Sequence, residues 1–136
     1  MKRLTTTLCL TIAVLLGTPV QAETVFYCQS ELGTGFMKKP NGTWETAKFK
    51  NERWTIKFSN DYKKLYGLDK NRPFNCNVPF VQTPNTIVCL SGFGLGETFS
   101  FGKVSLRFLF ATPLPAGYIE GGTDTSNLYA GTCQKF

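Results

Sequence analysis

From residue 24 onward the chain is built of short runs in which apolar and polar residues alternate, separated by turn-forming residues. The clearest run is Val104–Phe110, where Val104, Leu106, Phe108 and Phe110 fall on one face. A period of two is the signature of a half-buried strand. Phe99 and Phe101 share a face just upstream, and Gly102-Lys103 between the two runs predicts a tight hairpin. Arg53–Phe58 repeats the pattern, with Trp54, Ile56 and Phe58 directed inward and Arg53, Thr55 and Lys57 outward.

The intervening residues predict the turns. Pro40-Asn41-Gly42 fixes one φ angle and then supplies two residues tolerant of positive φ, so Phe36–Lys39 and Thr43–Lys50 are expected to pair as a hairpin. Pro84-Asn85 plays the same part ahead of a strand at Thr86–Leu90. Further strands are expected at Thr24–Gln29, Tyr118–Glu120 and Asn127–Gln134. One short helix is expected around Asn60–Tyr66, capped by Asn60 or Asp61. No sustained helical period, internal repeat or linker is present. The fold class is all-β: a small antiparallel barrel or sandwich of about eight short strands.

The first residues follow a different rule. Met1-Lys2-Arg3, an apolar stretch over Leu8–Leu16, and Val20-Gln21-Ala22 together read as a secretory signal over residues 1–22, cleaved after Ala22. Gly17 and Pro19 interrupt the apolar stretch before it reaches the length of a membrane span. Residues 23–136 are then one β-rich domain, periplasmic or secreted, with no second apolar run long enough to span a membrane. The terminal Phe136 is also a feature of outer-membrane barrels. Gln134 and Thr132, however, are polar where such a barrel needs lipid-facing residues, and the strands are too short to cross a bilayer.

Cysteine usage agrees with export. Cys9 lies within the leader, leaving Cys28, Cys76, Cys89 and Cys133. An even number in a short exported chain implies two disulfides, for which three connectivities exist. Cys28–Cys133 with Cys76–Cys89 is the favoured set, joining the opening and closing strands and closing the loop 77–88. The spacing excludes a C-x-x-C redox motif and a paired zinc ribbon.

A search for chemistry returns little. The chain has no histidine, which removes the commonest general base and metal ligand. Ser100-Phe101-Gly102-Lys103 has the S-x-x-K spacing of serine acyl-enzymes but none of the accompanying elements, and it sits on a predicted hairpin. The glycine-rich Gly92–Gly96 leads into a strand, not a helix, so it is no phosphate loop; its Phe93 and Leu95 are candidates for a binding lip. The nine acidic residues are scattered and form no calcium loop. No catalytic residue, metal site or cofactor is predicted.

Charge is the uneven feature. Residues 38–72 hold ten basic and four acidic residues, a net +6, against −2 for 23–37 and zero for 73–136. Lys48, Lys50, Arg53 and Lys57 fall on two neighbouring predicted strands and form the candidate anion-binding face. A solvated face that aids solubility is the plainer alternative. Nothing resembles a nucleic-acid-binding module; an anionic envelope component or an acidic protein fits the compartment better. The leading expectation is a non-enzymatic exported binding protein of the bacterial envelope. Two others stand beside it: a small envelope hydrolase using a carboxylate pair, and a carrier holding a small apolar ligand among the chain's 12 Phe, 5 Tyr and 2 Trp.

The set Phe26-x-Cys28, Gly35-Phe36, Trp44, Phe49, Phe99-x-Phe101, Arg107-Phe108, Tyr118 and Gly131-Thr132-Cys133 resembles small uncharacterised exported proteins of proteobacteria. That resemblance implies no assigned activity. More distantly, size, export, cysteines and β content are similar to the periplasmic inhibitors of C-type lysozyme. Of their Ser-Gly…Tyr…Gly…Trp signature only Ser91-Gly92 is found here, without a downstream tryptophan, so no inhibitor residue is carried over.

Overall fold

The computed structural model describes residues 23–92 and 96–136. The expected leader at 1–22 and the candidate lip residues Phe93 and Leu95 lie outside the described residues. Nine strands follow one another: β1 (Thr24–Lys38), β2 (Trp44–Lys48), β3 (Arg53–Phe58), β4 (Lys64–Tyr66), β5 (Phe74–Asn77), β6 (Thr86–Leu90), β7 (Thr98–Gly102), β8 (Arg107–Pro113) and β9 (Ser126–Lys135). A single short helix, α1 (Pro115–Tyr118), precedes β9. All pairings are antiparallel, and β1 also pairs with β9. Strands β1 and β3–β9 therefore close into an eight-stranded barrel, with β2 attached outside the ring.

Strand β1 is the spine. It unites two runs that the sequence separates, Thr24–Gln29 and Phe36–Lys39, because Gly33-Thr34-Gly35 continues extended instead of turning. Its pairing with β9 slips between Ser30 and Leu32. A bulge of this kind adds a residue, bends the strand and resets which side chains face inward. Before it Phe26, Cys28 and Ser30 are buried; beyond it Leu32 and Phe36 are exposed and the glycines sit over the core. At Gly35 a Cβ would come 1.8 Å from the Ser126 carbonyl oxygen, so the close approach of β1 to β9 requires glycine there.

The interior is filled by aromatic rings. Phe26 packs edge-on against Phe58 and Phe101, Phe99 stacks on Phe108 at 5.4 Å, and Trp54 meets Phe108, Phe110 and Tyr129. Such pairs contribute about 0.5–1.5 kcal/mol each beyond their burial. Both disulfides join directly opposed residues on neighbouring strands: Cys28–Cys133 links β1 to β9 and Cys76–Cys89 links β5 to β6.

Three sequence expectations are corrected. Asn60–Tyr66 is not a helix: Asp61 Oδ1 accepts from the Ser59 hydroxyl and the Lys63 amide, Tyr62 adopts φ 55°, and the chain turns directly into β4. An Asp that can cap a helix can equally close a turn on itself, and here it does the latter. Tyr118–Glu120 is not a strand, because Pro115 starts α1 and Tyr118 ends it. Val104 does not join the inner face. It lies exposed in a turn that runs through Leu106 at φ 55°, and β8 begins only at Arg107.

Candidate functional site

One edge of β1 is shared by two strands. Thr24–Gln29 pairs with β3, and Thr34–Lys38 pairs with β2. The link from Phe49 to Glu52 must pass the β1 bulge, and it is held there by hydrogen bonds. The Phe49 amide donates to the Gly33 carbonyl at 2.9 Å, and the Ser30 amide donates to the Glu52 carbonyl at 2.9 Å. The buried Ser30 hydroxyl accepts from the Glu52 amide at 2.7 Å. Phe49 turns its ring towards Tyr129, 6.4 Å away between centroids. Its neighbours Lys48 and Lys50 are exposed, as is Arg53 at the start of β3.

These three cations form no ion pair among the described residues. Glu52 is the sole carboxylate between Lys48 and Arg53, which leaves a local charge of +2. Its influence reaches the core: burial first, and then the Glu52 charge, push the Tyr129 phenol above its ordinary value of 10.0. The result is a pinned segment carrying exposed cationic side chains.

Lys57, the fourth candidate, lies apart. It shares the outward face of β3 with Arg53, four residues on, roughly 13 Å by strand rise. There it pairs with Glu23 and stands 5.5 Å over the Tyr66 ring. Several other basic residues of the 38–72 block are likewise engaged. Lys38 donates to the carbonyls of Gly121 and Gly122, Lys39 pairs with Glu45 at 2.6 Å, and Lys64 donates to Asn75. Beside these engaged residues stands the ridge of Lys48, Lys50 and Arg53, with the exposed Lys70 away from it.

Several of the acidic side chains are engaged locally. Glu31 accepts from the Thr132 hydroxyl, and Asp69 accepts from the Asn71 amide. The Ser59 hydroxyl and the Lys63 amide hold the Asp61 carboxyl below its ordinary value of 3.8. Among the described residues no group of three or more acidic or cysteine side chains is placed to hold a metal ion.

Two surface features escaped the sequence reading. An open groove of about 680 Å³ crosses the outer face of β7, β8, β9 and β1, with Leu32, Ser100, Arg107, Leu109 and Ala130 along it. Register alone builds it: Leu32 lies opposite Ala130, Ala130 opposite Leu109, and Leu109 opposite Ser100. The loop after β5 also exposes Val78, Phe80 and Val81, which follow no strand period. Compared with known protein families, curated proteins and solved structures, the chain matches none of them.

Proposed function

We propose that this chain is a non-enzymatic exported binding protein of the bacterial envelope that holds an anionic partner on the ridge of Lys48, Lys50 and Arg53, with Lys57, paired to Glu23, outside it. The observation that carries the reading is three exposed cations without counter-ions on a backbone segment stitched to β1. Charges held this way keep their full field for a partner in place of neutralising one another. The two disulfides suit an oxidising compartment. Among the described residues no helix is long and apolar enough to cross a membrane. An interior occupied by aromatic rings, with its clefts on the outside, speaks for a surface partner over a carried apolar ligand.

The test is binding to alginate, to polyglutamate and to phosphatidylglycerol vesicles at low and high salt. Exposed charges act over about 10 Å at 0.1 M salt and about 3 Å at 1 M. Binding to at least one of these probes should therefore fall steeply with salt. Combined Lys48→Glu, Lys50→Glu and Arg53→Glu should abolish it, and Lys103→Glu with Lys135→Glu should alter it little. Binding by the ridge variant equal to that of the unaltered protein would overturn the reading.

A further inference from the structure

Among the described residues, closure of the barrel leaves one strand edge unpaired. Strand β2 stands at the end of the sheet order with β1 as its single neighbour. The hydrogen-bond phase shows which of its groups face out. The Phe49 amide bonds Gly33 and the Lys39 amide bonds the Thr43 carbonyl, so the bonded positions on this strand are 43, 45, 47 and 49. The backbone N–H and C=O of Trp44, Thr46 and Lys48 therefore point away from β1. Among the described residues no strand pairs with that edge.

Exposed edges invite another strand, and proteins often blunt them with proline, bulges or charge. Here there is no proline and no bulge within β2; its one anion, Glu45, is paired with Lys39, and the unpaired charge is cationic and at one end. Lys48 ends the strand, and Lys50 and Arg53 follow it. At the other end Trp44 packs edge-on against Tyr118 at 5.3 Å, and the exposed Phe36 lies opposite Thr46 on the same face. The open edge thus runs from an aromatic surface to a cationic ridge.

We infer that the partner of this ridge is an extended acidic polypeptide segment that adds to the free edge of β2 as a further strand. Main-chain hydrogen bonds to residues 44, 46 and 48 supply the pairing, as in other strand additions. The carboxylates meet Lys48, Lys50 and Arg53, and an apolar side chain lies towards Trp44 and Phe36. Charge complementarity selects the acidic chain: a second copy of this positively charged protein gains no such match. The inference rests on the ridge reading above and narrows its partner to a polypeptide, since a glycan or lipid has no use for a strand edge.

The probe is a short synthetic peptide whose alternate residues on one face present Glu to the Lys48 end and Val to the Trp44 end of β2, with a second version N-methylated at alternate residues on its bonding side. N-methylation keeps the charge and removes the backbone donors. The parent should bind with salt sensitivity, and the N-methylated peptide should bind roughly tenfold or more weakly, since two or more hydrogen bonds are lost. Thr46→Pro, which removes an outward N–H and leaves the β1–β2 bonds in place, should weaken the parent peptide comparably while keeping the ring-packed core and its near-ultraviolet signal. Equal binding of the two peptides would overturn edge pairing and leave the ridge reading standing. Tighter binding of alginate or phosphatidylglycerol vesicles than of the peptide would overturn the choice of a polypeptide. Self-association in sedimentation that Thr46→Pro abolishes would give the edge to a second copy and overturn the inference. If no anionic probe binds, the ridge reading falls as well.

Discussion

The Ser30 hydroxyl accepts a 2.7 Å hydrogen bond from the Glu52 amide and lies 3.3 Å from the Glu52 carbonyl, so one buried side chain fastens the β2–β3 link to β1. It is the only fully buried polar residue among those described, and it sits at the bulge where β1 changes phase.

Ser30→Ala should accordingly cost about 1–3 kcal/mol, because it strands a donor away from water. Urea unfolding reads this as a lower midpoint with an unchanged slope. A loss within about 0.3 kcal/mol would mean that the link is held by its backbone bonds alone.

The two disulfides should differ in worth. Replacing Cys28 and Cys133 by serine opens a separation of 105 residues, and replacing Cys76 and Cys89 opens one of 13. The chain-entropy model gives about 4–5 and about 3 kcal/mol respectively. The first variant should therefore melt lower in calorimetry; the reverse order would show that local strand pairing outweighs loop closure.

Much of this framework was legible in the residues. Alternation located β3, β7 and most of β8, since each carries its inward side chains at every second position, and the Pro84-Asn85 turn located β6. The unity of β1 was not legible, because the bulge at Ser30–Leu32 breaks the alternation and Gly33-Thr34-Gly35 has the composition of a turn. The turn at Asp61 was misread because the same carboxylate that caps a helix also accepts from an amide two residues on. Among the ridge residues, position gave Lys48, Lys50 and Arg53. The capture of Lys57 by Glu23 depends on β1 lying beside β3, a pairing no local pattern announces.

The acid limb of stability should depend on Asp61. Its carboxyl titrates lower in the folded chain than the ordinary 3.8, chiefly through the Ser59 hydroxyl and then the Lys63 amide. The folded state is therefore favoured above that value, and the benefit is lost as pH falls through the lower folded value. Asp61→Asn should flatten the stability profile in this acid window and lower stability at neutral pH, where the carboxylate's benefit is fully present, while leaving the most acid pH unchanged. An identical slope in both proteins would assign the acid limb to other groups.

The alkaline limb should depend on Tyr129. Burial, with help from Glu52, raises its phenol above 10.0, so its contribution is present below that value and lost as pH rises through the folded value. Tyr129→Phe should reduce the alkaline loss of stability followed by near-ultraviolet circular dichroism.

Gly131→Ala tests the β1–β9 seam. An added Cβ there would stand 2.1 Å from the Gln29 carbonyl oxygen, a backbone atom that cannot swing aside. The cost should reach or exceed the roughly 1–3 kcal/mol of ordinary overpacking, whereas Gly42→Ala, with open space around it but φ 85°, carries only the strain of its turn.

The same seam governs the order in which the molecule can be made. Strand β1 emerges first and meets its long partner β9 only when the rest of the domain has followed, so the ring is completed by the last strand to arrive. Contacts between such distant parts of a chain slow folding, because the intervening loop must be ordered before they form. Until then β1 and β8 each wait with a vacant flank, and a nascent or truncated chain exposes both. Completion of the barrel is thus a late, single event tied to the arrival of β9, and the Cys28–Cys133 bond is the clasp that records it.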